Sequence, residues 1–272
     1  MSDNASQSRA ADLSVMIPCK NNERTIGRVL ESVRGLASQL VVIDSGSTDA
    51  TMDLVNACRQ WSGKDRCEVV LIQTHWRGYV RTKQLGMQAC SHTYTLCLDS
   101  DEPLTPELAA SLRDAIAQGI DAAKLRRMVE YRGKLLRHAW QPEHRLRFVR
   151  TQLVHEGRAW SGGVEPHDSV ELEQGIEARV LDGILIHEAF ESFADQLSSQ
   201  LDLAKISAQT LHASGVRSSA WKLMTSPPGA FLKQLVLKQA FRDGYAGWLA
   251  AAASATHAAC KHMMLYELGN KE

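Results

Sequence analysis

Residues 39–49 read QLVVIDSGSTD, and this stretch sets the fold. Leu40 to Ile43 form a short apolar, β-branched run. It stops abruptly at Asp44-Ser45-Gly46-Ser47-Thr48-Asp49, residue types that favour turns and helix starts. A helical pattern follows from about Ala50 to Trp61. The same cadence recurs on either side. Upstream, LSVMI (13–17) is stopped by Pro18 and the polar cluster PCKNNE (18–23). Apolar positions then follow at near-helical spacing: Ile26, Val29, Leu30, Val33 and Leu36. Downstream, EVVLI (68–72) precedes HWRG (75–78) and a helix near 79–90, and YTLCL (94–98) runs into DSDE (99–102). Strands alternating with helices of this length imply βαβ units and a parallel sheet. Right-handed crossovers place all strand C-termini along one edge, where α/β sheets bind ligands. Four polar clusters converge there.

The rest of the chain is patterned differently. KLRRMVEYRGK (124–134), RLRFVR (145–150) and SVELE (169–173) alternate like strands of a mixed sheet, and from about Glu188 onward the sequence reads as mostly helical, broken by SPPG (226–229). The first twelve residues, polar and small, read as a disordered leader. Across 272 residues Lys plus Arg equals Asp plus Glu, 31 each, so there is no general attraction to nucleic acid. The six cysteines form no CxxC pair and sit mostly in apolar runs, which suits buried hydrophobes in a reducing, cytoplasmic compartment. YAGWLAAAASATHAAC (245–260) is too short and weakly apolar for a membrane span. It reads as a helix packed on protein or lying near a membrane surface.

The clusters carry the chemistry. In DSGSTD, a turn and helix cap account for Ser47, Thr48 and Asp49 but not for Asp44, a carboxylate at the tip of a strand. Asp44 is placed to accept from a base N–H or a ribose hydroxyl. In DSDE, Asp99 and Asp101 at i and i+2 suit oxygen ligation of Mg²⁺ or Mn²⁺. An acid-rich start to a helix at 107–118, opened by Pro103 and Pro106, explains Glu102 and Thr105 but not Asp99. Lys83 and Arg81, on the helix before that strand, either face a phosphate or form a solvated helix face.

SVMIPCKNNERTI, VVIDSGSTDAT, and RTKQLGMQAC leading into YTLCLDSDE resemble, in this order, a family 2 glycosyltransferase. The later segments WQPEHRLRFVR (140–150), GVEPHDSVELEQG (163–175), ILIHEAF (184–190) and 238–268 resemble more loosely its lipopolysaccharide-core glucosyltransferase-like subgroup. Asp168 stands there where the subgroup has Glu, and the inserted Glu165-Pro166 leaves two acids for one role.

The resemblance implies an α/β GT-A fold, a mostly parallel sheet with a helical C-terminal extension. It divides the chain into a nucleotide-sugar half (13–112), an acceptor half (113–190) and a helical region (191–272). It implies an inverting, metal-dependent transferase moving a sugar from a nucleotide sugar, such as UDP-glucose, to a lipid-linked or core-oligosaccharide acceptor. Pro18, Asn22, Glu23, Asp44, Lys83 and Asp99 would bind the donor, and Asp99, Asp101 and His187 the metal. His187, after the strand DGILI, reads equally as a core histidine. Asp168 is the first candidate for the base, Glu165 the second, and Glu143 the next. Trp221, Lys222, Phe231 and Lys233, continuing to Trp248, interleave aromatics with cations and suit peripheral contact at the inner face of the cell membrane. Two other readings compete. A non-catalytic nucleotide-sugar scaffold would not need Asp99 and Asp101 together. A sugar nucleotidyltransferase typically carries a glycine-rich first loop, and PCKNNE has no glycine.

Overall fold

A computed structural model describes residues 12–270 apart from Pro166 and Ala189, and the side chain of His167 is likewise left undescribed. The leader up to residue 11 lies outside the described residues. The chain forms two compact units. The first comprises residues up to Arg127, His144–Gly163 and Asp168–Ile186. The second comprises Met128–Glu143, Val164–His167 and His187 onward.

The first half runs β1 (Leu13–Cys19), α1 (Ile26–Val33), β2 (Gln39–Asp44), α2 (Thr51–Ala57), β3 (Glu68–Gln73), α3 (Tyr79–Gln88), β4 (Tyr94–Cys97) and α4 (Pro106–Ala117). β5 (Ala122–Tyr131), β6 (Lys134–Leu135), β7 (His144–Arg150), α5 (Thr151–His155), β8 (Ala159–Val164), β9 (His167–Leu172), β10 (Arg179–Val180) and β11 (Leu185–His187) follow. The last elements are α6 (Phe193–Ala213), α7 (Ala220–Leu232) and α8 (Tyr245–Gly269). The main sheet has the order β10-β5-β7-β4-β1-β2-β3, with β6 and β11 also pairing β5, while β8 and β9 form a separate ribbon. β1, β2, β3 and β4 are mutually parallel, and β7 runs antiparallel between β4 and β5. This is the mostly parallel α/β sheet that the sequence predicts.

Both faces of the sheet are covered, which is why its strands read as continuous apolar runs. Val15, Ile17, Leu40 and Val42 pack with α1 and α4 on one face. Met16, Val41, Ile43 and Cys97 pack with α3 and α5 on the other. Burial pushes the Cys97 thiol up to about 12, so it serves as a small hydrophobe. α3 lies so close to the sheet that a Cβ on Gly86 would overlap the Met16 and Ile43 side chains. Gly86→Ala is therefore expected to lower stability by about 1–3 kcal/mol. An unchanged urea midpoint would show that α3 has room to spare.

β1 continues through Pro18 instead of stopping before it. In a parallel ladder the N–H and C=O of one residue point to the same neighbour. Odd residues of β1 face β2, where Ser45 N–H donates to the Cys19 carbonyl at 3.0 Å; even ones face β4, where Leu98 N–H donates to the Met16 carbonyl at 3.0 Å. Pro18 thus faces the β4 side beyond Cys97, and no ladder bond is lost.

In the second unit, SPPG does not break the helix. Pro227 and Pro228 lie inside α7, which has no buried residue, so the carbonyls they leave unpaired can turn to solvent. The break comes later, at 238–244, where Gln239 and Gly244 take positive φ. Residues 128–143, which the sequence assigned to the acceptor half, belong to this helical unit. Val129, Leu136 and Ala139 pack with Ala240 and Ala250. The Asp243 carboxylate accepts from the backbone N–H groups of Arg137, His138 and Ala139 at 2.8–3.0 Å. Among the described residues no helix is long and apolar enough to cross a membrane.

Candidate active site

The loops after β1 and β2 are joined by reciprocal bonds. Thr48 N–H donates to Asn21 Oδ1 at 2.8 Å and Asn21 N–H to Ser47 Oγ at 3.0 Å. Ala50 N–H donates to Glu23 Oε2 at 2.9 Å and Glu23 N–H to Asp49 Oδ2 at 3.1 Å. Asn22 Oδ1 accepts from Lys20 N–H, and Asn22 N–H donates to Thr51 Oγ1. The side chains of Asn22 and Glu23, expected on the donor, thus brace the rim. Ser47 links the two loops and does not cap α2. Asp44 is buried at the end of β2, and its Oδ1 accepts from Ser47 N–H at 2.9 Å. One of its oxygens therefore has a structural task that the sequence reading left unassigned.

The end of β4 is more heavily charged. Asp99 Oδ1 lies 2.6 Å from Lys83 Nζ, and Asp99 Oδ2 lies 2.5 Å from Arg147 Nη2. Glu102 is fully buried. It takes Arg147 Nη2 and Arg127 Nε at 2.8 Å each and accepts from Asp99 N–H at 3.1 Å. It is not a surface acid at a helix start; Thr105 alone does that work, accepting from Leu108 N–H with Pro106 at the first helical position. Lys83 is 2 % exposed, so the solvated-face reading fails for it, while Arg81 is exposed. Lys83 Nζ also lies 2.5 Å from Asp168 Oδ2. Three acids and three bases thus meet at the edge of one sheet, with Lys83 bridging Asp99 to Asp168. Burial works to raise the Asp99 carboxyl, but Arg147 and Lys83 outweigh it and hold the group well below the usual carboxylate range. Burial likewise works to lower Arg147, and Asp99 and Glu102 raise it well above its ordinary value.

This arrangement bears on the metal. Both oxygens of Asp99 are engaged by cations, so Asp99 does not fit an open metal ligand; it is the counter-ion of Lys83 and Arg147. Among the described residues no group of three or more His, Cys, Asp and Glu side chains is arranged to hold a metal ion. Asp101 is half-buried in the first unit. His187 ends β11 and Glu165 follows β8, both within the second unit, as does Glu143. Arg127 and Arg147 escape the sequence reading because a charge within a strand normally marks a solvated face, and Glu102 because an acid shortly before a helix reads as part of its start. Their signal is that RLRFV places Arg147 directly before Phe148 in a strand buried on both faces.

Residues 14–160 match the family model described as glycosyl transferase family 2. The chain belongs to this family. The family 2 match covers the loops after β1, β2 and β4 and the buried charge on β7. The chain is 26 % identical over 256 residues, 94 % of its length and 92 % of the relative's, to the lipopolysaccharide core biosynthesis glycosyltransferase LpsC of Rhizobium meliloti (strain 1021). It is 24 % identical, over 87 % of its length and 80 % of the relative's, to an uncharacterized glycosyltransferase of Rickettsia typhi (strain ATCC VR-144 / Wilmington). Among solved structures, S. aureus TarS 1–349 in complex with UDP-GlcNAc aligns with a TM-score of 0.48 at 16 % identity, covering 90 % of each chain.

Proposed function

We propose that this family 2 glycosyltransferase moves a sugar, with inversion, from a nucleotide sugar to a lipopolysaccharide-core or other lipid-linked cell-surface glycan, with a UDP-hexose such as UDP-glucose as donor. The observation that carries this reading is the Lys83 bridge. It brings an acid of the β9 strand, Asp168, beside the charged end of β4, so that donor-side and acceptor-side groups share one cluster. The similarity to LpsC along nearly the whole chain supports the acceptor class.

In the proposed reaction the acceptor hydroxyl oxygen bonds to the anomeric carbon as the bond from that carbon to the diphosphate oxygen breaks. The hydroxyl proton passes to Asp168. Lys83 holds one Asp168 oxygen, leaving the other to take the proton. Asp44 accepts from the base or ribose, and Pro18, Asn22 and Glu23 shape the rim that receives them. Lys83 and Arg147 supply fixed positive charge near the departing diphosphate. Asp101 is the residue of the pair that would hold a divalent ion, Mg²⁺ or Mn²⁺, which when bound would supply Lewis-acid charge to that leaving group. Six free cysteines fit a reducing cytoplasmic side, and peripheral contact with the inner membrane face would bring a lipid-linked acceptor within reach.

The donor reading is tested by melting curves with UDP, GDP and dTDP, each with Mn²⁺ and with chelator. A ligand at 100 times its Kd adds about 2.7 kcal/mol, which raises the midpoint measurably. Stabilisation by UDP with Mn²⁺ is expected. Equal stabilisation in chelator would remove the metal from donor binding, and no response to any nucleotide would remove the donor reading.

A further inference from the structure

The second unit carries a charge segregation that the balanced whole-chain composition hides. Between Asp202 and Asp243 there is no acidic residue, and six Lys or Arg fall in those 40 positions. Asp243 itself is turned inward onto the backbone of residues 137–139. The same stretch exposes large apolar side chains. Trp221 is 72 %, Met224 73 % and Leu237 77 % exposed, and Leu232 and Phe241 are also exposed. At 3.6 residues per turn, Trp221, Met224, Pro228 and Leu232 fall within about a quarter of the α7 circumference. Lys222 and Lys233 both lie along one flank of that stripe. α7 has no buried residue, so the stripe is not packing surface for the rest of the chain.

We infer that α7 and the turns after it form a docking surface for an anionic lipid bilayer, with the Trp221–Leu232 stripe at the headgroup–acyl boundary and the flanking lysines on the headgroups. Aromatic and aliphatic residues backed by cations, on a helix lying in the interface plane, are the chemistry that such a surface takes. Acidic residues would be repelled there, and this stretch has none. An apolar protein partner would explain the stripe but not the absence of acids. The inference concerns the second unit and does not depend on the sugar-transfer chemistry.

The test uses the full chain and vesicles of phosphatidylcholine with and without phosphatidylglycerol. Flotation with the anionic vesicles at low salt is expected, falling as salt screens the charges, together with a blue shift of tryptophan emission. Each lysine near an anionic surface contributes roughly a factor of five, so K222Q/K233Q together should weaken partitioning about 25-fold. W221S/M224S should remove the blue shift and most of the binding, even to strongly anionic vesicles. The changed side chains are exposed, and an unaltered melting midpoint confirms that each variant folds. K64Q/R66Q, exposed cations of the first unit, should change nothing. Failure to float with anionic vesicles at low salt would overturn the inference. So would equal loss from K64Q/R66Q, or a Trp221-dependent dimer in sedimentation with no lipid binding, which would make a second copy of the chain the occupant.

Discussion

Asp168→Asn is expected to slow sugar transfer by roughly 10²–10⁴-fold, the usual loss when a general base is removed, and to leave stabilisation by UDP nearly intact. The readout is transfer of labelled sugar to a truncated lipopolysaccharide core, alongside melting curves with UDP. The substitution keeps the shape of the side chain but removes the charge that meets Lys83 at 2.5 Å. Lys83 keeps Asp99 as a partner, so the fold survives. If Asp168→Asn transfers sugar normally while Glu165→Gln does not, the base is Glu165. If neither variant slows transfer, Glu143→Gln is the next to make, and the place given to Asp168 is wrong.

Arg147→Met is the second large effect, this time on stability. Glu102 has no exposed surface and rests on two guanidinium groups; Asp99 rests on Lys83 and Arg147. Removing one partner of a buried pair leaves charge uncompensated and typically costs about 3–5 kcal/mol. Urea unfolding should show a loss of that order, and a change below about 1 kcal/mol would mean that water already reaches the cluster. The pH dependence follows from Asp99. Its folded carboxyl is held below the unfolded value, so its contribution is complete above the unfolded pKa and disappears as pH falls through the depressed folded one. Removing Arg147 raises the folded value toward normal, and acid unfolding of the variant should begin at higher pH than in the parent protein.

These outcomes also mark what the amino-acid order discloses. β1, β2 and β4 are legible because each is buried on both faces, and β3 because its apolar side chains are at least partly covered on both, so that all four read as unbroken apolar sequence ending in polar residues. Asp44 and Asp99 stand out for the same reason, as charges at the ends of such runs. Arg127, Arg147 and Glu102 do not, because their partners lie tens of residues away and no local pattern distinguishes a neutralised charge from a solvated one. The same distance hides the attachment of residues 128–143 to the C-terminal helices, which rests on Asp243, more than a hundred residues downstream. Pro227-Pro228 misleads in the opposite sense. It is a strong local signal, overridden on a helix that has no buried residue.

The interleaving of the two units has a consequence for the gene. The chain passes between them at 127/128, 143/144, 163/164, 167/168 and 186/187, so neither unit corresponds to one uninterrupted reading-frame segment. A single recombination point cannot exchange the helical unit for that of a relative. A hybrid that transplants it must also carry residues 128–143 and 164–167, or the Asp243 carboxylate arrives without the amides it was shaped to meet. The helical unit would then change by point substitution in place more readily than by the shuffling of whole segments.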